Sequence, residues 1–159
     1  MTIRIRRARA DDAPALTALM HACSAYQGEY ASILAGYAIS SEQVERDTMF
    51  VAEDADTLLG FYSLCNVESD PELDLLFVSD AAQGRGVGAL LFRHMLDSAR
   101  AFGIEAVKII SHPPAEGFYG RMGARRIETL APSGRVTWPR PVMAIEVPSP
   151  AARIEADPR

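Results

Sequence analysis

Two cysteines, Cys23 and Cys65, are all the sequence holds. They lie far apart, with neither a metal-ligand spacing nor a disulfide framework. Both sit among apolar neighbours, which favours buried, reduced thiols, and no activating constellation marks either as a nucleophile. Histidine is scarce too. His21 and His94 fall within predicted helices without a second ligand at metal spacing, and His112 follows a predicted strand, so no metal site is expected. Positive charge is in deficit: 16 Lys and Arg stand against 21 Asp and Glu, a net charge of −5. An acidic chain argues against nucleic-acid binding. The one basic run, "IRIRRAR", alternates as a solvated strand face does. No apolar stretch is long enough to span a membrane, and the first residues lack the apolar core of a signal peptide. These absences lead to the expectation of a cytoplasmic protein with no nucleic-acid or membrane partner.

What is present is the mix of an ordinary globule, 48% apolar and 23% charged over 159 residues, about one domain. "IRIRRA" (3–8) alternates as a first strand. Asp11 or Asp12 is expected to cap a helix with Pro14 in its first turn, and Leu16, Leu19, Met20 and Cys23 give that helix one apolar face. "SAYQGEYASILAGYAIS" is ambiguous, a short helix among loops. Ser40 or Ser41 caps another short helix. "TMFVAED" and "TLLGFYSLC" are two strands around a turn at Asp54 and Asp56, and "ELDLLFV" (72–78) is the next. A helix then carries Val87, Leu90, Leu91, Met95, Ala99 and Phe102 on one face, with Gly103 at its C-terminal cap. "AVKIIS" (106–111) is an apolar strand. "PPAEGFYGRMGA" opens on proline and closes on glycine like a short helix. "RRIETL" and "VMAIEV" close the domain as strands. The polar tail 148–159 is expected to be flexible. The order is mixed α/β, and the strand–helix–strand unit 72–111 predicts two parallel neighbours.

Between strand and helix stands "VSDAAQGRGVGALL" (78–91), with Gly84, Gly86 and Gly88 at every second position. Such a loop is either a turn of purely structural purpose or a cradle whose amides, at the positive end of a helix, approach a diphosphate. A nucleoside-triphosphate loop would end in Gly-Lys-Ser/Thr, and this one runs Gly88-Ala89-Leu90. A dinucleotide loop would follow its strand at once with G-x-G-x-x-G spacing. Here five residues separate Val78 from Gly84 and the spacing is G-x-G-x-G.

"Gln83-Gly84-Arg85-Gly86-Val87-Gly88" resembles the Q/R-x-x-G-x-G/A signature of the GCN5-related N-acetyltransferases. "GFYGRMGA" is similar to that family's later F-Y-x-x-x-G element, and "Pro141-Val142-Met143" to a P-x-M of its final strand. The resemblance spans about residues 3 to 147, so residues 1–147 would form the domain. It implies the acyl-CoA N-acyltransferase fold: a central mixed, mostly antiparallel, twisted sheet with helices on both faces. It also implies acetyl-CoA as co-substrate and direct transfer of its acetyl group to a primary amine of a small molecule or peptide, within a ternary complex. The strands at 72–78 and 106–111 would splay to admit the pantetheine arm. The loop residues Gln83, Gly84, Arg85, Gly86, Val87 and Gly88 would hold the pyrophosphate, with Phe118 beside them. One position departs from the family's pattern: Pro114 stands where relatives often carry a cofactor-contacting asparagine.

The chemistry requires a base, because a lysine-like amine has a pKa of about 10.4 and must lose a proton before attack. Glu72 and Asp74, two apart in one strand, share a face. Glu72 precedes Gln83 by eleven residues, the spacing of the catalytic glutamate in histone-type members. Asp74 is the other candidate, and both residues are equally compatible with solvent-facing alternation. A backbone N–H near Leu76, Phe77 or Val78 would stabilise the tetrahedral oxyanion. Tyr119 matches the family tyrosine that serves the departing thiolate, and is otherwise a core tyrosine beside Phe118. Acceptor choice would fall to "SAYQGEYASILAGYAISSEQ" and "SGRVTWPRPVM", where Tyr26, Tyr30, Tyr37 and Trp138 either line a pocket, with Glu29 as charge partner, or simply pack. The rival functions are a non-catalytic acyl-CoA sensor and a nucleotide-binding domain. A homodimer is the default among oligomers.

Overall fold

The computed structural model describes residues 2–24, 26 and 28–148, and of Glu29 the backbone alone. The flexible tail expected from residue 148 onward, and the charge expected at Glu29, thus fall outside the described residues, Pro148 excepted. Seven strands form one sheet: β1 (Arg4–Arg7), β2 (Thr48–Asp54), β3 (Thr57–Cys65), β4 (Glu72–Val78), β5 (Ala106–Ile110), β6 (Arg125–Leu130) and β7 (Arg140–Glu146). Their spatial order is β1-β2-β3-β4-β5-β7-β6, and every neighbouring pair is antiparallel except β4–β5. The parallel pair is the one joined by the long crossover, as chain geometry demands.

The helices are α1 (Ala13–Ala22), α2 (Ser41–Arg46), α3 (Val87–Ala101) and α4 (Glu116–Arg121). They cover both faces. On one, Leu91, Phe92 and Met95 of α3 and Tyr119 of α4 pack on Tyr62, Leu64 and Ile109. On the other, Leu16 and Met20 of α1 and Val44 of α2 pack on Val51, Phe61 and Phe77. Gly60 of β3 permits a close approach to β4: a Cβ there would lie 2.6 Å from the Phe77 carbonyl oxygen.

Local signals account for most boundaries. Ser40 caps α2 by accepting from the Gln43 amide (3.1 Å). Gly103 takes φ +76° after α3, and the Ile104 amide reaches back to the Ala99 carbonyl (3.0 Å). Asp12 stands at the N-cap position of α1, as expected, but its side chain does not cap the helix. A 3-10 turn (Ala10–Asp12) precedes that helix, and the carboxylate makes no cap bond to it. It accepts instead from the Arg9 amide (2.7 Å) and pairs bidentately with Arg6 (2.9 and 3.0 Å), tying β1 to the helix start. The ambiguous segment after α1 contains a 3-10 stretch, Gly28–Ile33.

Two irregularities open the sheet. Glu72 is paired with Lys108, and no further rung joins β4 to β5, so the strands part beyond it. On the other side of β4, the register to β3 shifts between Ser63 (opposite Leu75) and Leu64 (opposite Leu73), leaving Asp74 as the extra residue of a β-bulge. The bulge reverses the alternation. Leu73 joins the core under α3, while Leu75 and Phe77 join the core under α1.

Candidate active site

The parting of β4 from β5 leaves a cavity of about 440 Å³. Its walls are β4 from Leu73 to Val78, the glycine loop, the end of β5 and the start of α4. The bond from the Ser79 amide to the Leu59 carbonyl (2.8 Å) sets the hydrogen-bond alternation along β4. By that alternation Leu75 and Phe77 exchange their bonds with β3, and Leu76 and Val78 turn their amides toward the gap. Leu76, Phe77 and Val78 all border the cavity, but the Phe77 amide is by that alternation engaged with β3.

The loop meets this cavity at the N-terminus of α3, where unpaired N–H groups and the helix dipole favour an anion. Gly84 and Gly86 stand at φ +79° and +78°, which explains them conformationally, since a Cβ at either would meet no atom within 4 Å. Gly88 lies against the Phe118 ring, 3.5 Å from where a Cβ would sit. The Gln83 side chain donates to the Val78 carbonyl (3.0 Å) and ties the loop to the strand end. Gln83, Gly84, Gly86, Val87, Gly88 and Phe118 are part of the wall; Arg85, exposed on the loop, is not. Pro114 lies within the 3-10 turn Pro113–Ala115 that leads into α4, and Ala115 is that turn's contribution to the wall.

A second cavity, about 200 Å³, adjoins the first on the α1–α2 face. Asp74, Tyr26 and His112 border both. Glu72 borders the smaller one alone, and both carboxylates therefore face the same side, as their spacing predicts. Asp74 opens onto the cavities, yet their walls crowd it. Burial raises its pKa, Asp47 adds to the rise, and Arg46 opposes it. Glu72 is raised by burial and then by Asp74, with Lys108 and Arg140 pulling the other way. Two carboxylates held above their ordinary range at the junction of two cavities are suited to proton transfer.

Tyr119 is 8% exposed and packs on Phe118 and Phe92 (ring centroids 5.3 and 6.0 Å). Its hydroxyl has no hydrogen-bond partner among the described residues, and burial, then Tyr26, hold its pKa far above the usual tyrosine value. It stays a neutral donor at the cavity wall. His112 stacks on Tyr26 (4.1 Å, 20° between planes). Tyr26 and Tyr37 border the smaller cavity, whereas Tyr30 and Trp138 form a second tier: Trp138, 4% exposed, meets Tyr30 edge-on at 4.8 Å, and Tyr30 meets His112 edge-on at 5.8 Å. Sequence reasoning singled out neither Cys23 nor Arg140 as a wall residue. The buried Cys23 thiol donates to the Val78 carbonyl (3.2 Å), and burial pushes it up to about 11, so it is no nucleophile. Cys65 is half-buried and pushed up to about 12. Arg140 begins β7, whose pairing with β5 brings it level with the gap; that topology was the available signal.

The acetyltransferase (GNAT) domain model matches residues 22–132, more than half the sequence, and the chain belongs to that family. No functionally curated protein matches it in sequence. Among solved structures, the PaiA N-acetyltransferase from Thermoplasma acidophilum in complex with coenzyme A is similar in fold. It is 19% identical, with 92% of this chain and 99% of that one covered and a TM-score of 0.76. The ribosomal-protein-S18-alanine N-acetyltransferase from Escherichia coli is 17% identical over 92% and 94%, with a TM-score of 0.70. A GCN5-related N-acetyltransferase from Kribbella flavida is 24% identical over 91% and 97%, with a TM-score of 0.66. The protein is therefore an acyltransferase of the GNAT class, and acetyl-CoA is its co-substrate. The larger cavity fits such a molecule: free strand amides suit an extended arm, and the loop before α3 suits a diphosphate. Among the described residues, no cluster of His, Cys, Asp and Glu could hold a metal, and no helix is long and apolar enough to cross a membrane.

Proposed function

We propose that the protein transfers the acetyl group of acetyl-CoA directly to a primary amine bound beside it in a ternary complex. The observation that carries this is the position of Asp74, the carboxylate bordering both cavities. The larger cavity takes the co-substrate. The amides of residues 83–88 hold its pyrophosphate, and Leu76 and Val78 pair with its pantetheine arm as an added strand would. The smaller cavity takes the acceptor.

Asp74 removes a proton from the acceptor ammonium, directly or through one water, and Glu72 supports the cation beside it. The freed nitrogen attacks the thioester carbonyl. The C–N bond forms and an amide at Leu76 or Val78 stabilises the oxyanion; the attacking nitrogen, cationic once bonded, releases its second proton to solvent, and the C–S bond breaks. The Tyr119 hydroxyl stabilises the departing sulfur. Its raised pKa makes it a hydrogen-bond donor first, and the proton that finally rests on the thiol is replaced on Tyr119 from solvent.

A thiol-release screen with acetyl-CoA across a panel of amines, with products weighed by mass spectrometry, tests this. Release of coenzyme A matched by acetylated amine supports transfer. Stabilisation by acetyl-CoA with no amine acetylated would mean an acyl-CoA sensor instead.

A further inference from the structure

The smaller cavity carries charge of both signs. Glu72 and Asp74 supply the negative side and Arg140 the positive. Most other placed arginines spend their guanidinium on the protein: Arg6 pairs with Asp12, Arg46 with Asp47, and Arg126 with Glu116. Among the described residues Arg140 makes no ion pair, and its buried Nε–H has no hydrogen-bond partner. A buried donor left unmade is costly, and native structures nearly always supply a partner. Here the donor belongs to a side chain on a cavity wall, so the partner can come from a ligand. A guanidinium fork matches a carboxylate in shape and charge.

We infer that the acceptor is a small amine that also carries a carboxylate, its nitrogen at Asp74 and its carboxylate on Arg140. This rests on the smaller cavity being the acceptor site. The remaining wall, with Ile33, Leu34, Leu75 and Phe77, is apolar and suits a hydrocarbon portion between or beside the charged ends. A volume of about 200 Å³ sets the scale at a single amino acid. The amino terminus or a lysine of a protein offers no carboxylate at that distance. Arg140 also lowers the Glu72 pKa through space, so its alternative role is to balance the acidic pair. In that role it would treat every amine alike.

The test compares amines that differ only in the carboxylate: leucine with isoamylamine, phenylalanine with phenethylamine, and γ-aminobutyrate with propylamine. Each is titrated calorimetrically into the full chain saturated with coenzyme A, and thiol release from acetyl-CoA is read in parallel. The carboxylate member of at least one pair is expected to bind about 10- to 100-fold more tightly, the worth of one charge-assisted contact. Arg140→Gln should bring that ratio close to one, and Arg140→Lys should restore part of it. Equal binding within every pair, binding of neither member, or a ratio that Arg140→Gln leaves intact overturns the inference. Turnover of the decarboxylated members alone does so too, while leaving amine transfer standing. Arg140-dependent binding of a carboxylate member without any turnover keeps the carboxylate site and removes the transfer reading.

Discussion

Glu72 stands opposite Lys108 on the rung that joins β4 to β5, and two residues later Asp74 bulges out of the ladder to β3. One strand thus loses a neighbour on one edge and shifts register on the other within three residues. The first event leaves backbone amides unpaired along a cavity. The second turns a carboxylate to where that cavity meets the next.

Asp74→Asn is expected to lower kcat roughly a hundredfold, the usual worth of a positioned base, and Glu72→Gln less. The same change should stabilise the fold. The folded-state pKa of Asp74 is raised, so its ionised form is disfavoured by folding. That penalty is present at neutral pH and disappears as pH falls through the folded pKa toward the ordinary value of 3.8. Asp74 is exposed at the cavity mouth, so solvent screens much of this penalty; the variant should melt at or slightly above the parent at pH 7, and the two curves should converge in acid.

Tyr119→Phe removes a hydroxyl with no hydrogen-bond partner among the described residues, so melting should hardly move. Steady-state kinetics should show kcat reduced about 10- to 100-fold, with KM for acetyl-CoA little changed. A variant that merely unfolds would place the tyrosine in the core alone.

Glycine substitutions should separate conformation from contact. Gly84→Ala and Gly86→Ala force an L side chain to positive φ and should each cost about 1 kcal/mol, with weaker coenzyme A binding. Gly60→Ala drives a methyl into the Phe77 carbonyl and should cost about 1–3 kcal/mol. Chemical denaturation of the three variants checks the order.

Asp12 is depressed by the Arg6 pair first, and by the Arg9 amide. Its contribution is present above the unfolded value and lost as pH falls through the folded one. Asp12→Asn should lose roughly 1 kcal/mol at pH 7, about 2–4 °C in melting temperature. The deficit should shrink below pH 3.8.

Strand, turn and cap chemistry made much of this legible from sequence. β2, β3, β4 and β6 occupy the stretches their patterns indicate, and Gly103 ends α3 as glycine after a helix should. What escaped depends on partners distant in the chain. "ELDLLFV" gives up its polar–apolar alternation at Leu75-Leu76, but an apolar run is also what a strand covered on both faces shows, so it does not announce a bulge; the shift exists only against β3. Asp12 reads as a cap until Arg6, on the adjoining strand, competes for its carboxylate. Tyr26 and Tyr30 look equivalent in sequence, but His112 holds one on the cavity wall and the other behind it. Arg140 has no local motif, and only the β5–β7 pairing brings it to the site.

The central claim is that the gap beside β4 and the loop before α3 together hold coenzyme A. Residue-resolved amide hydrogen exchange, with and without coenzyme A, tests it most directly. The account predicts slower exchange at Leu76, Val78 and residues 83–88, with Phe77, already bonded to β3, little changed. Unaltered exchange at Leu76, Val78 and the loop under saturating coenzyme A would contradict it.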